Sequence, residues 1–151
     1  VVASMLVCEL AATLKLEGKS IIDALNDMYS EYGLFLAYVQ SIELSGADAM
    51  EKAAKILSDL RANPPASIGD ALVTEVRDYR SSISINTKTK EETKILLPKS
   101  NVLEYILGES GSVIVRPSGT EPKVKYYYTA IAENKELAKS ALDRMIEQMS
   151  R

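Results

Sequence analysis

The chain has 151 residues, 46% of them apolar and 26% charged, with a formal net charge of −3. That balance fits one ordinary globular domain, or one domain plus a piece of another, and excludes a disordered or fibrous chain. No apolar run approaches the ~20 residues that cross a bilayer, no signal-peptide pattern opens the chain, and the acidic balance gives no general attraction to nucleic acid or anionic membrane.

The single Cys8 rules out an internal disulfide and fits a reducing, cytoplasmic setting. Histidine is absent, which removes the commonest general base near neutral pH and the commonest metal ligand. A histidine-based triad or His-rich zinc site is therefore impossible within the chain. Any chemistry falls to carboxylates, hydroxyls, Lys, Arg or groups on another chain.

The chain opens with VVASMLVCELAATLKLEGKS, already inside an apolar helical pattern in which Val1, Val2, Met5, Leu6, Leu10 and Leu14 share a stripe. A helix without a cap or lead-in suggests a piece cut from something longer. Gly18 ends it, and Ser20 with Asp23 offers the N-cap of a second helix that carries Ile21, Ile22, Leu25, Met28, Tyr29 and Tyr32 up to Gly33. Two such wide apolar faces cannot both be buried against each other, so they are expected to pack on another part of a parent protein.

Residues 34–44, LFLAYVQSIEL, are aromatic and β-branched and read as a strand. Residues 46–61 read as a helix with Met50, Ala53, Ala54, Leu57 and Leu60 inward, and NPPAS at 63–67 breaks it. From 68 to 97 the pattern is extended, with strand material over Ile68–Tyr79 and Ser82–Lys88 and a solvated loop or hairpin tip, TKTKEETK, at 87–94. SNVLEYIL at 100–107 reads as a short helix or irregular apolar segment. GESGS at 108–112 lacks the lysine and helix of a P-loop and reads as a hairpin turn. GSVIV and KVKYYYTA are strands, and Asn134 caps a last helix whose Leu137, Ala138, Ala141, Leu142, Met145, Ile146 and Met149 share one face. The expected class is α+β, a mostly antiparallel sheet with helices covering one face.

Between the last two strands lies Arg-Pro-Ser-Gly-Thr-Glu-Pro, residues 116–122. The Arg116 fork suits two-point contact with a phosphate or carboxylate. Pro117 and Pro122 stiffen the turn, and Ser118 and Thr120 offer hydroxyl donors. Gly119 permits positive φ, which would bring successive N–H groups to one point. Lys123 and Lys125 add positive charge. Together they form a cup for a dianion such as a phosphate monoester. The competing reading is an ordinary turn in which Arg116 pairs with Glu121. Tyr126, Tyr127 and Tyr128 alternate faces in a strand, with 126 and 128 on one side, so packing is favoured over stacking on bases or sugars.

RPSGTEPKVKYY resembles the phosphate-binding loop of the α-D-phosphohexomutases, the phosphoglucomutase and phosphomannomutase superfamily. VVASMLVCELAATLKLEGKSIIDALNDMY is similar to the helices that follow the sugar-recognition loop in the phosphoglucomutase-2-like branch. The resemblance implies a four-domain enzyme that interconverts hexose 1-phosphate and 6-phosphate through a bisphosphate, with a donor phosphoserine in its first domain and Mg²⁺ in its second. It implies that residues 1–33 are the C-terminal helices of the third, sugar-recognition domain. Residues 34–151 would be the fourth domain, with the TATA-box-binding-protein-like fold. Carried onto this chain, Arg116, Ser118, Gly119 and Thr120 would hold the substrate's phosphate, and Lys123 and Lys125 would support it. Hexose 1,6-bisphosphate and Mg²⁺ would serve the full-length enzyme, with neither bound by this fragment. The partners implied are a phosphosugar and the missing N-terminal domains, with no nucleic acid and no membrane. The chain lacks the serine–histidine phosphoacceptor, the Asp-rich metal loop and the sugar motif, so no catalytic residue is assigned and mutase activity alone is not expected. The alternative is a free-standing module that binds a phospho-ligand or RNA.

Overall fold

The computed structural model describes residues 1–150 and divides the chain into Val1–Leu34 and a second unit that starts at Phe35. The first unit is a helical hairpin, α1 (Val2–Leu16) and α2 (Ile21–Tyr32). Gly18 sits between them at φ +72, a conformation that favours glycine. Ser20 and Asp23 form a reciprocal capping box at the start of α2, each side chain bonded to the other's backbone N–H. Only Leu14 of α1 is buried; Val2, Met5, Leu6, Val7 and Leu10 are exposed. Large apolar residues, alanines and a cysteine dominate this helix, and its polar Ser4, Glu9, Thr13 and Lys15 do not gather into one wet face.

The second unit is a seven-stranded sheet ordered β1-β9-β8-β7-β4-β5-β6, backed by helices α3 (Ala49–Ala62) and α4 (Lys135–Met149). Its strands are β1 (Leu34–Glu43), β4 (Glu75–Asp78), β5 (Ile83–Asn86), β6 (Glu92–Lys94), β7 (Leu103–Ile106), β8 (Gly111–Pro117) and β9 (Lys123–Ala132). A separate pair, β2 (Ser67–Ile68) and β3 (Ala71–Leu72), turns at Gly69. Every registered pair is antiparallel, from β4 with β5 through β8 with β9. The mostly antiparallel, helix-backed α+β fold expected from the pattern is the fold observed.

One sheet face carries the core. Val113, Val115, Val124, Tyr126, Tyr128 and Ala130 lie under Ala53 and Leu57 of α3 and Leu142 and Met145 of α4. Period-two alternation explains the split, because Tyr126 and Tyr128 are buried while Tyr127 takes the other side. The Tyr126 and Tyr128 rings stack at 6.2 Å, and their hydroxyl-bearing bodies are packing elements. Tyr105 donates from its hydroxyl to the Leu60 carbonyl at 3.1 Å and Tyr128 to Gln40 Oε1 at 2.9 Å, so neither buried phenol is left unbonded.

The segment at 100–107 is a correction. Leu103–Ile106 forms a strand between β4 and β8 rather than a short helix. Leu103 and Tyr105 face the core while Glu104 and Ile106 face away, a two-residue period that the short apolar run disguised. The extended region 68–79 is likewise cut into three short strands, since Gly69 at φ +59 turns the chain after Ile68.

Candidate functional site: the turn between β8 and β9

The turn is closed by backbone bonds on both sides. Ser118 donates its N–H to the Lys123 carbonyl at 2.8 Å, and Lys123 donates to the Glu121 carbonyl at 2.8 Å. Leu44, just past β1, donates to the Pro122 carbonyl at 2.8 Å, which ties the turn to the neighbouring strand. Among the described residues, the N–H groups of Gly119, Thr120 and Glu121 and the hydroxyls of Ser118 and Thr120 have no protein acceptor. Five donors in four consecutive residues are thus left facing solvent or a ligand.

Arg116 is exposed at the mouth of the turn and, among the described residues, makes no ion pair. The anticipated competitor is occupied elsewhere. Glu121 pairs with Lys123 at 2.6 Å, and that contact lowers the Glu121 carboxyl below its usual range and raises the Lys123 ammonium. Lys123 therefore neutralises the turn's own carboxylate, and the charge left over belongs to Arg116 and Lys125. These two are paired across the β8–β9 ladder.

Gly119 corrects one expectation. Its φ is not in the positive range that Gly18, Gly33, Gly46, Gly69, Gly108 and Gly111 adopt. What the position lacks is a side chain, and no atom lies within 4 Å of where a Cβ would stand. The glycine keeps the space above the free N–H groups open.

Beside the turn is a cleft of about 540 Å³. Met50, Ala53 and Ala54 of α3 form one side, Ser100–Val102 a second, and Arg116–Gly119 a third. Among the described residues, Arg116 is the one charged residue in its lining, and no carboxylate lines it. The structure thus brings Arg116, Ser118 and Gly119 together on the cleft, while Thr120 on the turn and Lys123 and Lys125 on β9 lie outside its lining. Sequence reading missed the second wall, because Ser100 and Asn101 reach the cleft only through the pairing of β7 with β8.

Among the described residues, no three Cys, Asp or Glu side chains converge to hold a metal ion. Three carboxylates on the sheet are engaged by arginines: Asp78 by Arg61, and Glu75 and Glu104 by Arg77. The residues present do not fit the magnesium that the resemblance implies for the whole enzyme. Among the described residues, no helix is long and apolar enough to cross a membrane.

A helix-backed antiparallel sheet, with a turn of unpaired donors between β8 and β9, defines an α+β domain. The chain belongs to the phosphoglucomutase/phosphomannomutase C-terminal domain family, whose model matches residues 67–147. A phosphoglucomutase of Staphylococcus aureus is 33% identical over 141 residues, which is 93% of this chain and 25% of that protein. The phosphoglucomutase of a second strain is 35% identical over 122 residues, covering 81% of this chain and 22% of that protein. The crystal structure of pp63/parafusin, a phosphoglucomutase from Paramecium in its open form, superposes with a TM-score of 0.50 at 12% identity, over 86% of this chain and 22% of that one. At such identity the likeness concerns the fold. The chain spans about a quarter of the length of the Staphylococcus relatives.

Proposed function

We propose that this chain is the substrate-phosphate-binding end of a phosphohexomutase of the phosphoglucomutase-2-like branch, which interconverts hexose 1-phosphate and hexose 6-phosphate through a bisphosphate. The observation that carries the reading is the Arg116 guanidinium, without an ion pair among the described residues, beside a turn in which the Gly119, Thr120 and Glu121 N–H groups and the Ser118 and Thr120 hydroxyls have no protein acceptor there. In this reading Arg116 grips two phosphate oxygens, and Ser118, Gly119 and Thr120 take the rest. Lys125 adds charge from the adjacent strand. A cup that reads only the phosphate serves either isomer, because it makes no demand on which carbon bears the ester.

The donor phosphoserine, the Mg²⁺ and the hexose 1,6-bisphosphate chemistry belong, on this proposal, to the other domains of a cytoplasmic enzyme. Residues 1–33 close its third domain and 34–151 form its fourth. In support, the Staphylococcus match runs over 93% of the chain and so continues into the helical hairpin, and α1 leaves Val2, Met5, Leu6, Val7 and Leu10 exposed, as a helix that packs against a further part of a protein would. Holding one phosphate does not position a donor, so the chain alone is proposed to lack mutase activity. RNA binding is disfavoured by the burial of Tyr126 and Tyr128.

Amide NMR during titration with inorganic phosphate tests the reading. Shifts confined to residues 116–123 are expected, with Arg116→Ala weakening binding by roughly 10- to 100-fold, as loss of charge-assisted bonds implies. Absence of shifts at phosphate on the order of tens of millimolar, a concentration that reveals even the weakest useful affinities, would overturn it.

A further inference from the structure

The second wall of the cleft carries a polar group that the phosphate cup does not use. Ser100–Val102 is pinned to the residue that follows β4: Tyr79 donates its N–H to the Val102 carbonyl at 3.1 Å and Ser100 donates to the Tyr79 carbonyl at 3.2 Å. Asn101 is fixed as well. Its Oδ1 accepts from Arg61 Nη2 at 2.6 Å, and Arg61 Nε donates to Asp78 Oδ1 at 3.2 Å. Arg61 and Asp78 are largely shielded, at 18% and 22% side-chain exposure, so the support behind Asn101 is firm.

An arginine only donates, so this contact settles which way the amide lies. The oxygen faces Arg61, and the two Nδ2 hydrogens point away from it without a protein acceptor among the described residues. The register gives the distance scale. Leu103 is opposite Val115, and continuing that antiparallel register past the last pair puts Asn101 beside Pro117. Neighbouring strands lie about 5 Å apart, and Asn101 lines the same cleft as Arg116, Pro117 and Ser118.

We propose that Asn101, oriented by Arg61 and Asp78, is a specificity-determining donor to an oxygen on the alcohol portion of a phosphate monoester held by the Arg116 turn. The inference rests on the phosphate reading above and adds the recognition of what the phosphate is attached to. A bare phosphate fills the cup and leaves Asn101 unused, whereas a sugar phosphate occupies both walls. Arg61 is a positioning residue and touches no ligand.

The test is a paired amide NMR titration of the chain with inorganic phosphate and with glucose 1-phosphate. Asn101→Ala is expected to weaken glucose 1-phosphate about threefold to tenfold, the worth of one neutral hydrogen bond, and to leave inorganic phosphate within about twofold. Asn101→Asp keeps the shape and the Arg61 contact but removes both donors. It is expected to lose glucose 1-phosphate at least as strongly, and unchanged β7 and β8 amides report that it folds. Arg116→Ala loses both ligands. Equal effects of Asn101→Ala on the two ligands, or no effect on either, would overturn the assignment while leaving the phosphate cup standing. Failure of wild type to bind inorganic phosphate would remove the cup and this inference together.

Discussion

Arg116 and Lys125 stand directly opposite each other in the β8–β9 ladder, two positive charges with no carboxylate in ion-pair contact among the described residues. Like charges at facing strand positions destabilise a sheet by about 0.2–1 kcal/mol, so the pair is a local cost in the absence of an anion. Lys125→Gln is therefore expected to raise the ligand-free thermal midpoint slightly and to weaken phosphate binding about twofold to fivefold, a screened-charge effect. Thermal melts with and without phosphate check both halves. A variant that gains no stability and loses no phosphate-induced shift would show that Lys125 is a bystander.

The Glu121–Lys123 pair makes the opposite test available. Glu121 is the one carboxylate in the turn, and Lys123 holds it ionised. Glu121→Gln removes that negative charge and frees the ammonium, so phosphate affinity is expected to rise by about twofold to fivefold, with the gain fading at high salt. Isothermal titration at two salt concentrations measures it. A fall in affinity would mean that Glu121 acts by fixing the turn's shape.

Much of this arrangement is legible in the sequence, and the exceptions have physical causes. The β8–turn–β9 hairpin, the Ser20–Asp23 capping box and the Asn134 cap rest on local chemistry, which a sequence displays directly. β7 is not legible in the sequence because four residues offer too little periodicity, and only strands on both sides make it extended. Arg116 and Ser118 were visible as an anion-holding pair, but their setting was not. The cleft exists because α3 and the segment before β7 arrive there from elsewhere in the chain. Whether Glu121 would choose Arg116 or Lys123 is a question of strand register, and no motif encodes it.

Gly111 is the position at which the hairpin tolerates no side chain. It is buried at φ +125 opposite Ala130, and a Cβ there would run into the Thr129 carbonyl oxygen. Gly111→Ala is expected to cost about 2–4 kcal/mol through backbone strain and collision. For a domain of this size that lowers the thermal midpoint by roughly 6–16 °C. Circular dichroism melts measure it, and a shift of a degree or two would show that the strand relaxes around the new methyl group.

On the face of the sheet opposite α3 and α4, Arg77 holds Glu75 at 2.7 Å and Ser84 donates to the same carboxylate. Arg77 first, then Ser84, depresses the Glu75 carboxyl below its ordinary value of 4.5. A carboxyl depressed in the folded state contributes stability that is fully present above the unfolded value and is lost as pH falls through the folded one. Stability is therefore expected to decline below about pH 4.5, and Glu75→Gln to flatten that decline while lowering the neutral-pH plateau modestly, since the pair is partly exposed. Urea midpoints measured between neutral pH and the acid limb test it, and parallel curves for the two proteins would sink the assignment.

The strand order carries a consequence for how the molecule assembles. β4 to β6 and β7 to β9 are each runs of neighbours in sequence, whereas β1 must find β9 across some eighty intervening residues. Closing short loops is fast and joining distant segments is slow. The Arg116 turn, wholly inside one hairpin, therefore belongs to the early-forming part of the chain. The cleft that surrounds it waits for α3 and the β4–β7 pairing. The donors are thus organised by nearby sequence and acquire their walls last, so a lesion far from the turn can leave the cup intact and still remove the chamber in which a ligand would sit.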